Sequence, residues 1–266
     1  MTGPSPSPGG KEPGPVRIRV LGPLEVRCGA TPVAISGRKE RALVVLLALH
    51  AGHMVPTDTL IEALWGAGPP PSAEASLRVL VARVRKALAG AGARDVVRTR
   101  VPGYLLDGAE VDTQLFERLS AQGRAELAAG CPRAASATLG EALALWRAER
   151  LAETGSAALR AESARLEEAR LAAVEARIEA DLGCGRHAEL VGELELLCRA
   201  QPLREQLWAH RITALYRCGR QGDALGAYQQ LRATLADELG IDPSPGLRRL
   251  ETAVLTQDPS LAGGGR

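Results

Sequence analysis

Aromatic side chains are scarce in this chain of 266 residues, which contains one Phe, three Trp and three Tyr. Alanine and leucine supply much of the apolar fraction of 45%. A core of small and aliphatic side chains favours helices that pack closely against one another. The length allows one large domain or two ordinary ones. We therefore expect a globular, mainly helical protein.

Cysteine pairs at metal-binding or disulfide spacing are also absent. The five cysteines are odd in number, widely spaced and without a CxxC, which argues against a disulfide framework and a zinc site. The four histidines form no HExxH or comparable ligand spacing. We expect no bound metal, and thiols that stay reduced in a cytosol. The cysteines are Cys28, Cys131, Cys184, Cys198 and Cys218.

Long apolar segments are missing as well. The longest strongly apolar run, from Ala42 to Leu49, is too short to cross a bilayer. Residues 1–15 are rich in Pro, Ser and Gly and lack the apolar core of a signal peptide, which predicts a disordered tail. Residues 256–266 are predicted to form a loose C-terminus. Together these features predict a cytoplasmic protein that contacts no membrane.

Catalytic and cofactor-binding motifs do not occur in the sequence. GxxxxGK[ST], GxGxxG and GxSxG are all missing, which argues against a phosphate-cradling loop and a serine nucleophile elbow. No cysteine or histidine has a catalytic local context. The sequence therefore predicts neither an enzyme nor a bound cofactor.

Charge is nearly balanced over the chain, at a formal net +2, but positive charge is concentrated in one segment. Between Pro70 and Arg100 there are seven basic and two acidic residues, a local excess of five positive charges. Such a density can attract phosphate groups, although a solvated helix face has a similar composition. The basic residues are Arg78, Arg83, Arg85, Lys86, Arg94, Arg98 and Arg100.

Period-2 alternation broken by Gly and Pro predicts three short antiparallel strands between Val16 and Ile35. Three helices and a hairpin are predicted to follow, with Thr57 or Asp58 as the cap of the second helix. The predicted helices are Arg38–Ala51, Thr59–Trp65 and Ala73–Leu88, and the hairpin strands are Val96–Thr99 and Tyr104–Leu106.

The third predicted helix has two distinct faces. An apolar stripe of Leu77, Val81, Val84 and Leu88 should face the core. Basic residues lie on the other side and on its flanks. A basic helix followed directly by a basic hairpin suits DNA, because the helix fits the major groove while the hairpin reaches the neighbouring backbone or minor groove.

From Asp112 onward the sequence has an all-helical pattern. Cys184-Gly185-Arg186 and Cys218-Gly219-Arg220 repeat at a spacing of 34 residues, the period of tetratricopeptide helix pairs. Six consecutive helices with short loops favour a small solenoid. The predicted helices are Thr113–Ala129, Pro132–Trp146, Ala157–Leu182, Arg186–Arg199, Leu203–Arg217 and Gln221–Glu238.

Two segments resemble known families. SLRVLVARVRKAL followed by VVRTRVPGYLL is similar to the recognition helix and wing of the OmpR-type winged helix-turn-helix, a resemblance that covers residues 16–106. HAELVGELELLCRAQPLREQLWAHRITALYRCGRQGDALGAYQQLRATLADELGIDPSPGLRRLE is typical of the bacterial transcriptional activation domain. Their order resembles a small Streptomyces antibiotic regulatory protein (SARP). The resemblance implies a winged-helix domain at residues 16–108 and a TPR-like activation domain at 112–255.

The resemblance also implies a function. SARP proteins activate secondary-metabolite genes, bind tandem direct repeats in double-stranded DNA near the −35 region, and recruit RNA polymerase. Two protomers would lie side by side in the same orientation on such repeats. We expect the polymerase σ factor to be the subunit contacted.

Residue roles follow from the resemblance at matching positions. Arg83 would contact a base edge, most naturally guanine, and Val79 a thymine methyl group. Arg100 on the wing would enter the minor groove. Leu80 and Ala82 depart from the polar or basic residues of many relatives, so the base preference does not transfer. The remaining candidates for contacts to the DNA backbone are Arg78, Arg85, Lys86, Arg98 and Thr99.

Two other functions remain open. In the first, the protein is an adaptor whose TPR-like domain binds partners and whose winged helix is a scaffold. An adaptor has no need for basic residues on both the helix and the hairpin, which favours the DNA-binding hypothesis. In the second, a small molecule binds the concave face of the helical repeat, and no polar cluster in the sequence bears on it.

Overall fold

The structure is a computed structural model that describes residues 14–148 and 156–262. Almost all of the predicted N-terminal tail, and residues 263–266 of the predicted loose C-terminus, lie outside the described residues. The described residues form two compact units. The first unit takes residues up to 117 together with 144–169, and the second takes 118–143 together with residues from 170 onward.

The first unit begins with a small sheet in the order β3-β2-β1-β7. In β1, Val16 and Ile18 are buried while Arg17 and Arg19 are exposed, which is the predicted period-2 alternation. The predicted antiparallel strands β1 and β2 are confirmed, but the third strand was expected at Val33 and Ile35 and instead forms at Thr31–Pro32, because the chain already turns at Gly29-Ala30. The parallel pairing of β7 with β1 was not predicted. The strands are β1 Val16–Arg19, β2 Glu25–Cys28, β3 Thr31–Pro32 and β7 Ala109–Val111.

Three helices follow the first strands: α1 Arg38–Leu49, α2 Thr57–Trp65 and α3 Ala73–Gly90. The predicted cap of α2 at Thr57 or Asp58 is wrong. Both residues lie inside the helix, and Pro56 is the cap, with extended backbone and no side-chain cap hydrogen bond. The reason is that Pro56 ends a short strand, so the chain stays extended up to the first helical residue.

A second sheet has the order β4-β6-β5, with β4 Met54–Pro56, β5 Val97–Arg100 and β6 Gly103–Leu106. We call β5, its turn and β6 the wing. Gly103 lies so close to β4 that a Cβ there would overlap the Val55 carbonyl, which explains the glycine. The amide of Thr57 donates to the Pro102 carbonyl at 3.0 Å. These contacts attach the wing turn to the start of α2.

Asp112, the residue after β7, binds the backbone just after β1 through its side chain. Its buried carboxylate accepts hydrogen bonds from the amides of Val20, at 2.9 Å, and Leu21, at 3.0 Å. Burial raises the pKa of Asp112, while these amides and the Arg147 guanidinium act in the opposite direction. The Arg147 amide donates to the Leu21 carbonyl at 2.8 Å. One carboxylate therefore orders the end of β1.

The second unit contains the helical repeat. Gly185 and Gly219 have φ angles of 80° and 74° in the two equivalent Cys-Gly-Arg turns, a region that glycine enters without strain. Leu194, Trp208 and Leu231 are among the residues of its core. The described helices from residue 112 onward are α4 Asp112–Ala128, α5 Pro132–Ala144, α6 Ala157–Gly183, α7 His187–Ala200, α8 Glu205–Arg217, α9 Gln221–Leu239 and α10 Pro245–Leu255.

The last of these helices, α10, was not predicted. Ser244 is its N-cap and accepts from the Leu247 amide, and Pro245 occupies the first turn. Both are ordinary signals for a helix start and could have been recognised in the sequence. A 3-10 helix follows at Pro259–Ala262, whose Leu261 packs against the core of this unit.

The predicted fold class is confirmed: the chain is mainly α, with small β elements in the N-terminal winged-helix part and an all-helical part after it. Among the described residues, no helix combines the length and apolar character that spanning a membrane requires.

We predict that Asp112→Ala lowers the free energy of unfolding by about 2–4 kcal/mol, because the buried amides of Val20 and Leu21 lose their acceptor. Urea denaturation would measure the change. Glu110→Ala is the matched control, since Glu110 forms an exposed ion pair with Arg17 and its loss should stay within about 0.5 kcal/mol. Equal effects of the two substitutions would contradict the structural role of Asp112.

Candidate nucleic-acid interface

Helix α3 presents a basic face to solvent because its apolar stripe is buried. Leu77, Val81, Val84 and Leu88 are at most 3% exposed, as predicted from their spacing. The side chains on the rest of the helix circumference, including Arg78, Arg83 and Lys86, are therefore directed outward and are exposed. Val79, also on this face, is 50% exposed.

The positions around Arg83 differ in their availability to a ligand. Leu80 is only 7% exposed and belongs to the core. Ala82 is exposed and offers a methyl group. Arg83 is exposed, and its Nη1 lies 3.0 Å from Oε1 of Glu40 on α1. Sequence reasoning missed Glu40, since no local pattern links residues 43 positions apart.

Arg85 joins α3 to the wing. Its Nε donates to the Val97 carbonyl at 2.8 Å and its Nη2 donates to Thr99 Oγ1 at 2.8 Å. Its guanidinium carbon lies 5.9 Å from the centre of the Tyr104 ring. Two residues predicted to contact the DNA backbone, Arg85 and Thr99, are therefore bonded to each other. The guanidinium fixes the spacing between the helix and β5.

Arg98 and Arg78 also have partners within the protein. Arg98 pairs with Asp107 at 2.8 Å and donates to the Asp95 carbonyl at 3.0 Å, so it supports the base of the wing. Arg78 pairs with Glu74 one turn earlier on α3, at 3.0 Å. Both pairs are solvent-exposed, which makes them weak and easily exchanged for other anions.

The side chains of Lys86 and Arg100 form no hydrogen bond or ion pair with any described residue. Lys86 lies on the exposed face of α3, and Arg100 ends β5 beside the wing turn. Val101, the next residue, is 91% exposed at the tip of the wing. The structure thus places the eight predicted DNA-contact residues on α3 and the wing. Among the described residues, two of the cations have no side-chain partner, whereas Arg85 is hydrogen-bonded to β5.

Across the described ranges, no group of three His, Cys, Asp or Glu side chains could hold a metal ion. The surface offers cations, a methyl group and hydrogen-bond donors, which are the groups that contact phosphates and base edges.

Two parts of the chain match families of known proteins. Residues 32–106 match the family described as transcriptional regulatory protein, C terminal, and residues 111–255 match the bacterial transcriptional activator domain. The chain is 42% identical over 256 residues to the regulatory protein DnrI of Streptomyces peucetius, covering 92% of this chain and 94% of DnrI.

The chain belongs to the SARP family.

Two further proteins place this SARP chain among transcriptional regulators. It is 39% identical to the transcriptional regulator RedD of Streptomyces coelicolor, covering 93% of this chain and 73% of RedD. The structure of Mycobacterium tuberculosis EmbR in complex with a low-affinity phosphopeptide superimposes with a TM-score of 0.88 at 37% identity, covering 93% of this chain and 68% of that one. The chain spans 63% of the full EmbR sequence.

We predict that Arg85→Ala loosens the wing of this SARP protein, because two hydrogen bonds from a charged donor are lost. Amide hydrogen exchange in β5 and β6 should become about five- to thirty-fold faster, equivalent to about 1–2 kcal/mol of local opening. Lys86→Ala is the control, since Lys86 holds no described residue, and it should leave exchange unchanged. Unaltered exchange in the Arg85 variant would show that the wing is fixed by other contacts.

Proposed function

We propose that this transcriptional regulator is a sequence-specific activator of secondary-metabolite genes that binds double-stranded DNA through α3 and the wing. The single observation that carries the proposal is the joint surface: an exposed basic helix face beside a wing that ends in Arg100, with Arg85 holding the two together. The winged-helix domain is assigned to residues 16–108, and the activation domain to 112–255.

The proposed contacts follow the exposure of each side chain. Arg83 contacts guanine and Val79 contacts a thymine methyl group in the major groove. Lys86 and Arg78 bind phosphates, the latter after exchanging its exposed partner Glu74. Arg100 enters the minor groove. Arg85, Arg98 and Thr99 act chiefly by holding the wing in place, and their outer atoms lie near the DNA backbone.

On the promoter, two protomers lie side by side in one orientation on direct repeats near the −35 region. This arrangement is head-to-tail and needs repeats about one helical turn apart. The complex then recruits RNA polymerase through its σ factor. We expect the protein to work in the cytoplasm at the nucleoid, without a cofactor and without catalytic activity of its own.

Selection of bound sites from a random DNA library at about 0.15 M salt tests this function, because non-specific binding is reduced at that ionic strength. Enrichment of tandem direct repeats one turn apart is the expected result. A palindrome would retain DNA binding but overturn the head-to-tail arrangement. No enrichment above a control protein would reject DNA recognition and favour the adaptor function of the helical repeat.

Substitution of two arginines on the same helix separates base contacts from phosphate contacts. Arg83→Ala should weaken binding to the selected site by about 1–3 kcal/mol and relax the preference at one base position. Arg78→Ala should weaken all sequences alike and reduce the salt slope by about one. Binding titrations on matched duplexes measure both. Intact site-specific affinity in the Arg83 variant would show that another side chain contacts the base.

A further inference from the structure

Glu40 of α1 reaches across to the exposed face of α3. It is the third residue of α1, and its side chain is only 14% exposed although it lies in the first helical turn. Its Oε1 accepts a hydrogen bond from Nη1 of Arg83 at 3.0 Å. The Arg83 side chain remains 66% exposed. A largely buried carboxylate therefore holds one end of an exposed guanidinium.

Gly37, the residue before α1, leaves the space that this carboxylate occupies. A Cβ built on Gly37 would overlap Oε2 and the carboxyl carbon of Glu40. The backbone of Gly37, at φ −81° and ψ 141°, is extended and open to every amino acid. Conformation therefore does not require glycine there. The missing side chain instead makes room for the Glu40 carboxylate.

Glu40 engages only part of the guanidinium. Within residues 14–148 and 156–262, it is the one polar partner of the Arg83 side chain, and it contacts Nη1. Nη2 and Nε stay available to an acceptor outside the protein. The guanidinium is planar, so fixing one nitrogen restricts the plane in which the others donate. A bidentate contact to a base edge requires this kind of alignment.

We propose that Glu40 is a positioning residue that sets the orientation of Arg83 and so determines the sequence discrimination of the protein. This inference rests on the proposed function, in which Arg83 contacts a base. The competing role is local: an acidic residue in the first turn stabilises α1 through the helix dipole. The two roles differ in whether the effect of Glu40 depends on Arg83.

Glu40→Gln tests the proposal, because glutamine keeps the size and capping ability of glutamate but loses its charge. The readout is the ratio of affinities for the selected repeat and for a scrambled duplex of equal composition. We expect this ratio to fall by about three- to thirty-fold, a part of the discrimination that one bidentate contact supplies. Affinity for the scrambled duplex should rise slightly, since a negative charge near DNA is removed.

Two further variants control for charge. Gly37→Ala keeps the carboxylate but displaces it from its space, so it should lower the ratio in the same direction as Glu40→Gln. Glu74→Gln removes the partner of Arg78, a proposed phosphate contact, on the same helix. That variant should change affinity for both duplexes alike and leave the ratio within about twofold.

The decisive measurement repeats Glu40→Gln in an Arg83→Ala background. Discrimination should then change by less than about twofold, because coupled residues act as a unit. A further loss in that background would assign Glu40 to the stability of α1 and overturn the proposal. An increase in the ratio on Glu40→Gln alone would overturn it too, by showing that Glu40 withdraws Arg83 from DNA.

The same affinity ratios separate a failure of the positioning role of Glu40 from a failure of DNA recognition. If the wild-type chain shows no discrimination between the duplexes, the DNA-recognition function itself is rejected, and Glu40 with it. If Arg83→Ala abolishes discrimination while Glu40→Gln and Gly37→Ala preserve it, only the positioning role of Glu40 is rejected.

Discussion

The hydrogen bonds from Arg85 to β5 are the constraint on which the proposed DNA-binding surface depends. A helix and a hairpin that are separated by a loop can adopt many relative positions, and DNA accepts few of them. Arg85 reduces that freedom before DNA is present, because its fork donates to Val97 and Thr99 from the side of α3. The exposed cations of the helix and the wing therefore form one surface. Preorganisation of this kind lowers the entropy lost on binding.

The basic residues of this surface include some that build it and others that are available to a ligand. Arg85 and Arg98 engage β5 or the base of the wing, whereas Lys86 and Arg100 hold no described residue. Arg83 belongs to both groups, because one nitrogen of its guanidinium donates to Glu40 and the other two remain available. Counting basic residues in the segment overestimates the number of phosphates that it can neutralise. Its geometry is correspondingly better defined than a flexible basic tail would allow.

Periodicity in the sequence was enough to predict β1, β2, the wing strands, most of the helices and the exposed face of α3, because each depends on residues within a few positions of one another. The buried stripe from Leu77 to Leu88 is the clearest case. Periodicity does not indicate which residues far apart in the chain contact each other. The pairing of β7 with β1, and the bond from Arg83 to Glu40, join residues far apart in the chain. Helix α10 is different, because its start has the local signals of an N-cap serine, Ser244, and a first-turn proline, Pro245.

The position of β7 bears on how this protein can be divided. β7 pairs along one side of β1, and Asp112 immediately after it accepts the amides of Val20 and Leu21. A fragment that ends at Leu106, where the wing closes, would contain every proposed DNA contact. It would also expose β1 as an open edge with unpaired amides, and such edges invite pairing between chains. Isolated recognition modules cut at that point should aggregate, whereas fragments that retain the first turns of α4 keep the edge covered.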